Sequence, residues 1–445
     1  MTPTPPNPAA PAPPPPTLVR ALGRWTLTAL VLNCTIASGI FGLPDDIARF
    51  VGTAAPWAYV LGALGIATIM AVFAELASQF REAGGPYLYA REAFGPFAAL
   101  QTAWFAWLTR VTASAAIANI FVSYLGEFSP AITTPLPRAA LLIAVLGGLT
   151  FVNIRGVREG GGLNNVFTIA KLVPLALFIV VGLALTPRLA PIELPSPPTA
   201  AAWIDALVVL LFAYGGFESV FMAAGEANNP RRDAPFALFV GLAVVATIYL
   251  LIHLVTMWCV PNLAGSERPL ADAARVFAGP GGAGLIALGA AMSTFGALSG
   301  GIVTAPRLVY ALGARGDFPR IFGAVHTRYR TPYVAIVFWS VLVLGLALWG
   351  NFIFNAVLSV SARLVTYAMS CAALIALRRR QPLANAWRAP AGRLLALIGI
   401  GFCALLVLRL TRTHAIIMAL VATIALVNWL LVRSRPQPVV PPTSE

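Results

Sequence analysis

Charge is what this chain has least of. Only 10% of its 445 residues are Asp, Glu, Lys or Arg, while 59% are hydrophobic, too little charge for a soluble domain of that length. The apolar residues run in spans of about twenty, joined by short polar connections, which is the pattern of a polytopic α-helical membrane protein. Cysteine is nearly as scarce. Cys34, Cys259, Cys371 and Cys403 all fall inside apolar spans, so no disulfide framework or metal cluster is implied. The three histidines, His253, His326 and His414, are scattered and suggest neither a metal site nor a catalytic triad. No cofactor or metal is expected, and an intramembrane enzyme lacks a plausible nucleophile or acid–base constellation.

What charge there is lies unevenly. The formal net charge is +14, which on a soluble protein would raise the question of nucleic acid. With the N-terminus in the cytoplasm, twenty of the thirty basic residues fall on the inner side and seven on the outer, leaving Arg110, Lys171 and Arg363 within spans. The positive-inside rule therefore supports the helix count and the orientation. The basic surface faces the cytoplasm and anionic lipid, so no nucleic-acid role is needed. Residues 1–16 hold nine prolines and no charge, so the first twenty residues are expected to form a disordered, partly polyproline-like cytoplasmic tail rather than a cleaved signal peptide.

Spans are expected near 25–49, 56–80, 96–126, 138–154, 163–186, 200–228, 234–260, 283–312, 332–349, 352–376, 392–410 and 414–432. This is an all-α membrane protein of about twelve transmembrane helices. The transmembrane region would occupy 21–435, with a C-terminal tail at 436–445. Between the seventh and eighth spans, Arg268 to Ala278 reads as a short helix. Two spans are interrupted. In the first, Gly39, Gly42 and Pro44 break a run of helix formers; in the sixth, Gly215 and Gly216 do the same. In hydrocarbon such unwound backbone is tolerated only when buried in protein or lining a cavity. Two Gly-interrupted spans in matching positions point to an inverted repeat with a midplane binding site. The first ten spans divide into two sets of five, about 25–186 and 200–376, and the two helices within 392–432 stand outside.

At these residues the chain resembles the amino acid–polyamine–organocation permeases. The run Ala37-Ser38-Gly39-Ile40-Phe41-Gly42 is similar to that family's G-[S/T]-G-I-F signature. Glu82 through Gly95 resembles its second loop. Phe212-Ala213-Tyr214-Gly215-Gly216-Phe217-Glu218 with Gly225 through Arg232 resembles its sixth-helix block, and Pro306 through Pro332 the loop after its eighth helix. The resemblance implies a LeuT-like five-plus-five fold with broken helices 1 and 6. It implies a multi-pass protein of the cytoplasmic membrane with both termini inside, moving amino acids or related amines by alternating access. Ala37 departs from the family's usual glycine, and its extra methyl leaves the substrate open.

A zwitterion needs donors for its carboxylate and acceptors for its ammonium. The N–H groups that open the half-helix after Ser38 suit the carboxylate, which makes Ala37, Ser38, Gly39 and Ile40 candidate substrate residues. Carbonyls released at Phe212, Ala213 and Gly215 suit the ammonium. The resemblance gives the same sides and makes Phe212 the aromatic that closes over the substrate. Glu218, just past the second break, is a candidate proton site, amine contact or gate, or a hydrogen-bonded structural carboxylate; Arg110 and Arg363 are its candidate partners.

Lys171 stands alone against twenty-nine arginines, although an arginine would serve as well for a merely snorkelling cation. A buried amine can be brought to titrate near physiological pH, which a guanidinium cannot. In some sodium-independent members of the family a lysine at this place reaches the first-helix backbone and stands in for a sodium ion, and the resemblance thereby implies proton coupling through Lys171. Symport, exchange, and a sensor that binds without translocating remain the readings.

Overall fold

The computed structural model describes residues 23–80, 85–156, 161–186, 197–219, 230–380 and 387–433. The described residues are helical, with no strand among them. In chain order the helices are α1 (Arg24–Thr35), α2 (Gly39–Gly42), α3 (Pro44–Val51), α4 (Ala55–Gln79), α5 (Gly85–Phe94), α6 (Pro96–Leu125), α7 (Pro135–Ile154) and α8 (Gly161–Leu185). There follow α9 (Ala200–Ala213), α10 (Pro230–Cys259), α11 (Pro269–Arg315), α12 (Tyr333–Trp349), α13 (Phe352–Arg380), α14 (Gly392–Val407) and α15 (Arg412–Val432). Nine segments among the described residues are long and apolar enough to cross a membrane, and α9, α12 and α14 are shorter apolar helices. Every expected span thus meets a helix or part of one. The proline-rich tail, the 436–445 tail, and Glu82 to Gly84 lie outside the described residues, as do Gly225 to Asn229.

Proline and glycine set the boundaries. Proline occupies the first turn of α3, α4, α6 and α7, where its missing N–H has no intrahelical partner to lose. Thr199 caps α9 by accepting from Ala202 N at 3.2 Å. The stretch Pro269–Arg315 bends at Gly279, whose φ of 67° and ψ of −166° are non-helical. The segment before that bend is the short helix read between the seventh and eighth spans.

Small residues let the helices close. A Cβ on Gly289 of α11 would lie 2.8 Å from Pro174 Cγ of α8, and one on Gly182 would lie 2.4 Å from Val255 Cγ1 of α10. Without a hydrophobic drive in lipid, this close approach supplies packing. One buried cluster surrounds the broken helices with α4, α10 and α13; a second joins α6, α7, α11 and α12. Apolar side chains such as Leu136, Ile143 and Phe151 of α7, and Ile416 and Leu431 of α15, face outward, as hydrocarbon requires.

Several buried charges are paired. Glu75 of α4 is 1% exposed. It accepts from Arg378 Nε at 2.6 Å, Arg378 Nη2 at 2.5 Å and Ala389 N at 2.9 Å. Glu127 takes Arg268 at 3.5 Å and also pairs with Arg275. Arg138 donates to Asn119 Oδ1 at 2.6 Å and Ala347 O at 2.7 Å. Removing one member of a buried pair strands the other at a cost of about 3 kcal/mol. Glu75→Ala is therefore expected to lower the melting temperature of the detergent-solubilised protein by several degrees. The double variant Glu75→Leu/Arg378→Leu should recover most of that loss; a double variant as unstable as the single would contradict the pairing argument.

Candidate substrate site at the two helix breaks

The first break is short. α1 ends at Thr35, and Ile36, Ala37 and Ser38 leave the helix before α2 begins at Gly39. The new half-helix closes its first turn with Phe41 N and Gly42 N donating to Ser38 O at 3.1 and 3.2 Å. The N–H groups of Ser38, Gly39 and Ile40 precede that bonded turn, where a helix has donors to offer. Ser38 is fully buried, and its Oγ, like Thr35 Oγ1, has no hydrogen-bond partner among the described residues. Buried hydroxyls are ordinarily satisfied, so these two side chains stand out as polar groups at the break.

The second break mirrors it. α9 ends at Ala213, Tyr214 to Gly216 are non-helical, and Phe217–Ser219 form one 3₁₀ turn. Gly216 has φ 105°, a left-handed conformation suited to glycine. The two breaks touch. A Cβ on Gly39 would lie 2.7 Å from Ala213 Cα, and one on Gly216 would lie 2.4 Å from Cys34 O. Ala37, Ser38, Gly39 and Ile40 are thus brought together with Ala213 and Gly215.

Lys171 reaches the first break from α8. Its Nζ donates to Asn33 O at 2.6 Å and to Ile36 O at 2.9 Å, carbonyls that the unwinding leaves at the end of α1. The side chain is buried rather than snorkelled, being 6% exposed. Phe212 is 8% exposed and packs edge-on against Phe352 with centroids 5.9 Å apart.

The carbonyls of the second break are more engaged than the sequence suggests. Phe212 O accepts from Gly215 N at 3.2 Å, and Ala213 O from Tyr249 Oη at 3.2 Å. Among the described residues, Glu218 pairs with Arg363. Arg363 Nε lies 3.1 Å from Glu218 Oε1 without hydrogen-bond alignment, Tyr367 Oη donates to the same oxygen, and Gly216 N donates to Oε2 at 2.8 Å. Arg110 lies within electrostatic range of both Glu218 and Arg363.

Sequence reasoning missed the tyrosines. Tyr249 Oη also lies 2.9 Å from Thr35 O, so one hydroxyl spans both broken ends. Tyr124 donates to Phe41 O at 2.7 Å and Tyr214 to Tyr59 O at 3.0 Å. The signal was position: Tyr249 sits twenty residues into the thirty of α10, far from an interface, where a buried phenol must find an acceptor.

The amino acid permease model matches residues 22–432. The chain belongs to the amino acid permease family. It is 29% identical over 377 residues to the serine/threonine exchanger of Bacillus subtilis (strain 168), covering 82% of this chain and 84% of that one. It is 28% identical over 408 residues to that organism's methylthioribose transporter, covering 87% of each. The b(0,+)-type amino acid transporter of Mus musculus is 28% identical over 343 residues, covering 74% of this chain and 69% of that one. These relatives are transporters, not enzymes, and the apolar helices make this permease a multi-pass membrane protein.

Because the atom that would crowd Gly39 is backbone, no side chain can move aside. Gly39→Leu is expected to abolish uptake while the protein still inserts and elutes as a single species; normal uptake would take the site away from this break. Phe212→Tyr should retain more transport than Phe212→Ala, since closing over a substrate needs a broad apolar plate. Unchanged apparent affinity and rate in Phe212→Ala would remove the aromatic from the site.

Proposed function

We propose that this permease moves amino acids, or closely related amines, across the cytoplasmic membrane by alternating access, independent of sodium and coupled to protons through Lys171. The observation that carries this reading is the seat of the Lys171 ammonium between Asn33 O and Ile36 O. A fixed cation there holds α8 against the unwound end of α1, as a bound metal cation would. The fold is read as a five-plus-five inverted repeat, 25–186 and 200–376, with the last two helices outside it and both termini in the cytoplasm.

The N–H groups of Ser38, Gly39 and Ile40 take the substrate carboxylate, helped by the positive end of the half-helix. The unpartnered Ser38 Oγ supports this assignment. The end of α9 at Ala213 and Gly215 takes the ammonium with the second lone pairs of its carbonyls, and Phe212 closes the pocket. Loss of the Lys171 proton loosens α8 from α1. Coupling follows if the proton binds the two conformations with different affinity, since equal affinity shifts nothing.

Exchange is the second reading, and the similarity to a serine/threonine exchanger supports it. Reconstituted into proteoliposomes, a coupled symporter accumulates labelled amino acid under an imposed pH gradient, whereas an obligatory exchanger takes up label only against internal substrate. A sensor shows saturable binding and neither uptake. Lys171→Ala is expected to lose pH-driven accumulation while retaining pH-independent counterflow. Lys171→Arg keeps the charge but does not titrate near neutrality, so it should lose the pH response too. An unaltered pH profile in both variants would remove Lys171 from coupling.

A further inference from the structure

The later part of the chain is nearly without acid. From Ala273 to Ser444 it holds sixteen arginines and a single acidic side chain, Asp317. Orientation in a membrane follows the basic residues and owes little to acidic ones, so a topology signal does not require such an imbalance.

The fold gathers five of these and neighbouring arginines where α7 and α11 end and α12 begins. Thr331 Oγ1 donates to Ile154 O at 2.7 Å, and a Cβ on Gly156 would lie 3.6 Å from Tyr329 O. Both contacts set residues 326–331 against the end of α7, beside Arg155. A Cβ on Gly313 would lie 2.8 Å from Gly323 N, which sets the 3₁₀ turn Arg320–Gly323 against the last turn of α11, beside Arg315. His326 closes the turn that follows. Its N donates to Thr331 O at 2.8 Å, its O accepts from Arg330 N at 2.9 Å, and its Nδ1 accepts from Arg328 N at 3.2 Å and Tyr329 N at 3.3 Å. Arg330 is thereby held at φ 56°, a backbone conformation uncommon outside glycine. This loop has a defined shape.

Arg155, Arg315, Arg320, Arg328 and Arg330 are all exposed, and no ion pair holds any of them among the described residues. Asp317 turns its Oδ2 to Tyr87 Oη of α5 at 3.0 Å. The Arg155 guanidinium lies 4.2 Å from the centre of the Phe151 ring and that of Arg328 5.5 Å from the centre of Tyr329. Stacking occupies the face of a guanidinium and leaves its N–H edge to donate. Among these arginines stand Ile321, 63% exposed, and Val325, 38% exposed. Three apolar helices end here, which puts the loop at headgroup depth, where apolar side chains can enter the acyl boundary beside basic ones.

We infer that this surface is a docking site for anionic phospholipid. The guanidinium edges receive phosphate oxygens in the paired geometry that suits them, and Ile321 and Val325 lie among the acyl chains. A soluble phosphate or an acidic polypeptide would meet the charge but leave both apolar side chains in water. In the orientation proposed above, the lipid belongs to the inner leaflet. Held there, it braces the ends of α7, α11 and α12, which share one buried cluster.

The test is native mass spectrometry of the full chain in detergent, titrated with phosphatidylglycerol or with phosphatidylcholine of the same acyl chains. The parent is expected to retain phosphatidylglycerol more tightly. Arg328→Gln/Arg330→Gln should weaken that binding about tenfold or more, as expected when two basic residues leave an anionic surface. Arg328→Lys/Arg330→Lys should keep part of it, because the charge stays and the paired donors go. Size-exclusion elution reports whether each variant is folded, and the parent titration alone decides whether the preference exists. Equal retention of the two lipids by the parent overturns the inference. An undiminished preference in the folded glutamine variant overturns the assignment to this loop. Tighter binding of glycerol 3-phosphate or of polyglutamate than of phosphatidylglycerol would make the surface a soluble-phosphate or acidic-polypeptide site, and either overturns the lipid assignment.

Discussion

The rest of this structure depends on the contact of one ammonium with two backbone carbonyls. Unwinding a helix in a low-dielectric interior strands carbonyl oxygens, each costly to bury unsatisfied. At the first break Lys171 takes Asn33 O and Ile36 O, and at the second the Arg363 guanidinium lies by Leu211 O. Tyr249 stands between Thr35 O and Ala213 O. One phenolic proton lies within reach of two acceptors there, one at each break. Such contacts let interrupted helices exist in the bundle, and because they come from other helices they tie the breaks to α8, α10 and α13.

Glycine supplies the second constraint. The breaks meet because Gly39 faces Ala213 and Gly216 faces Cys34 O at distances that exclude a Cβ. Gly42 does the same against Ile120 and Phe352. With backbone in contact, the polar ends of α2 and α9 lie side by side. In the function proposed above, a solute with both a carboxylate and an ammonium would engage them without a buried counter-ion from the protein.

How much of this was legible in the sequence follows from what is local. Glycine interruptions, with Pro44 beside the first, are written into a few adjacent residues, so both breaks fell where they were expected. The special place of Lys171 was legible because a lone lysine among arginines is a local anomaly, and its reach to the first-helix backbone followed from the family resemblance. Pairings across helices were not legible. Arg110 and Arg363 were equal candidates for Glu218 until the crossing of α6 and α13 put Arg363 against Gly215. The carbonyls of Phe212 and Ala213 were expected free, but Gly215 N and Tyr249 Oη reach them. That distinction lies in the turn geometry and in a tyrosine thirty-six residues further along the chain. Tyrosine in an apolar span reads as an interface anchor until its depth is weighed.

We propose that the Lys171 ammonium fills the role of a bound metal cation at the first break. It is tested most directly by titrating the purified parent protein with amino acid at increasing sodium chloride, choline chloride holding ionic strength constant, and measuring the dissociation constant at each step. The account predicts the same affinity from zero to saturating sodium. An affinity that rises with sodium would mean that a metal cation binds at the break after all, and would contradict it.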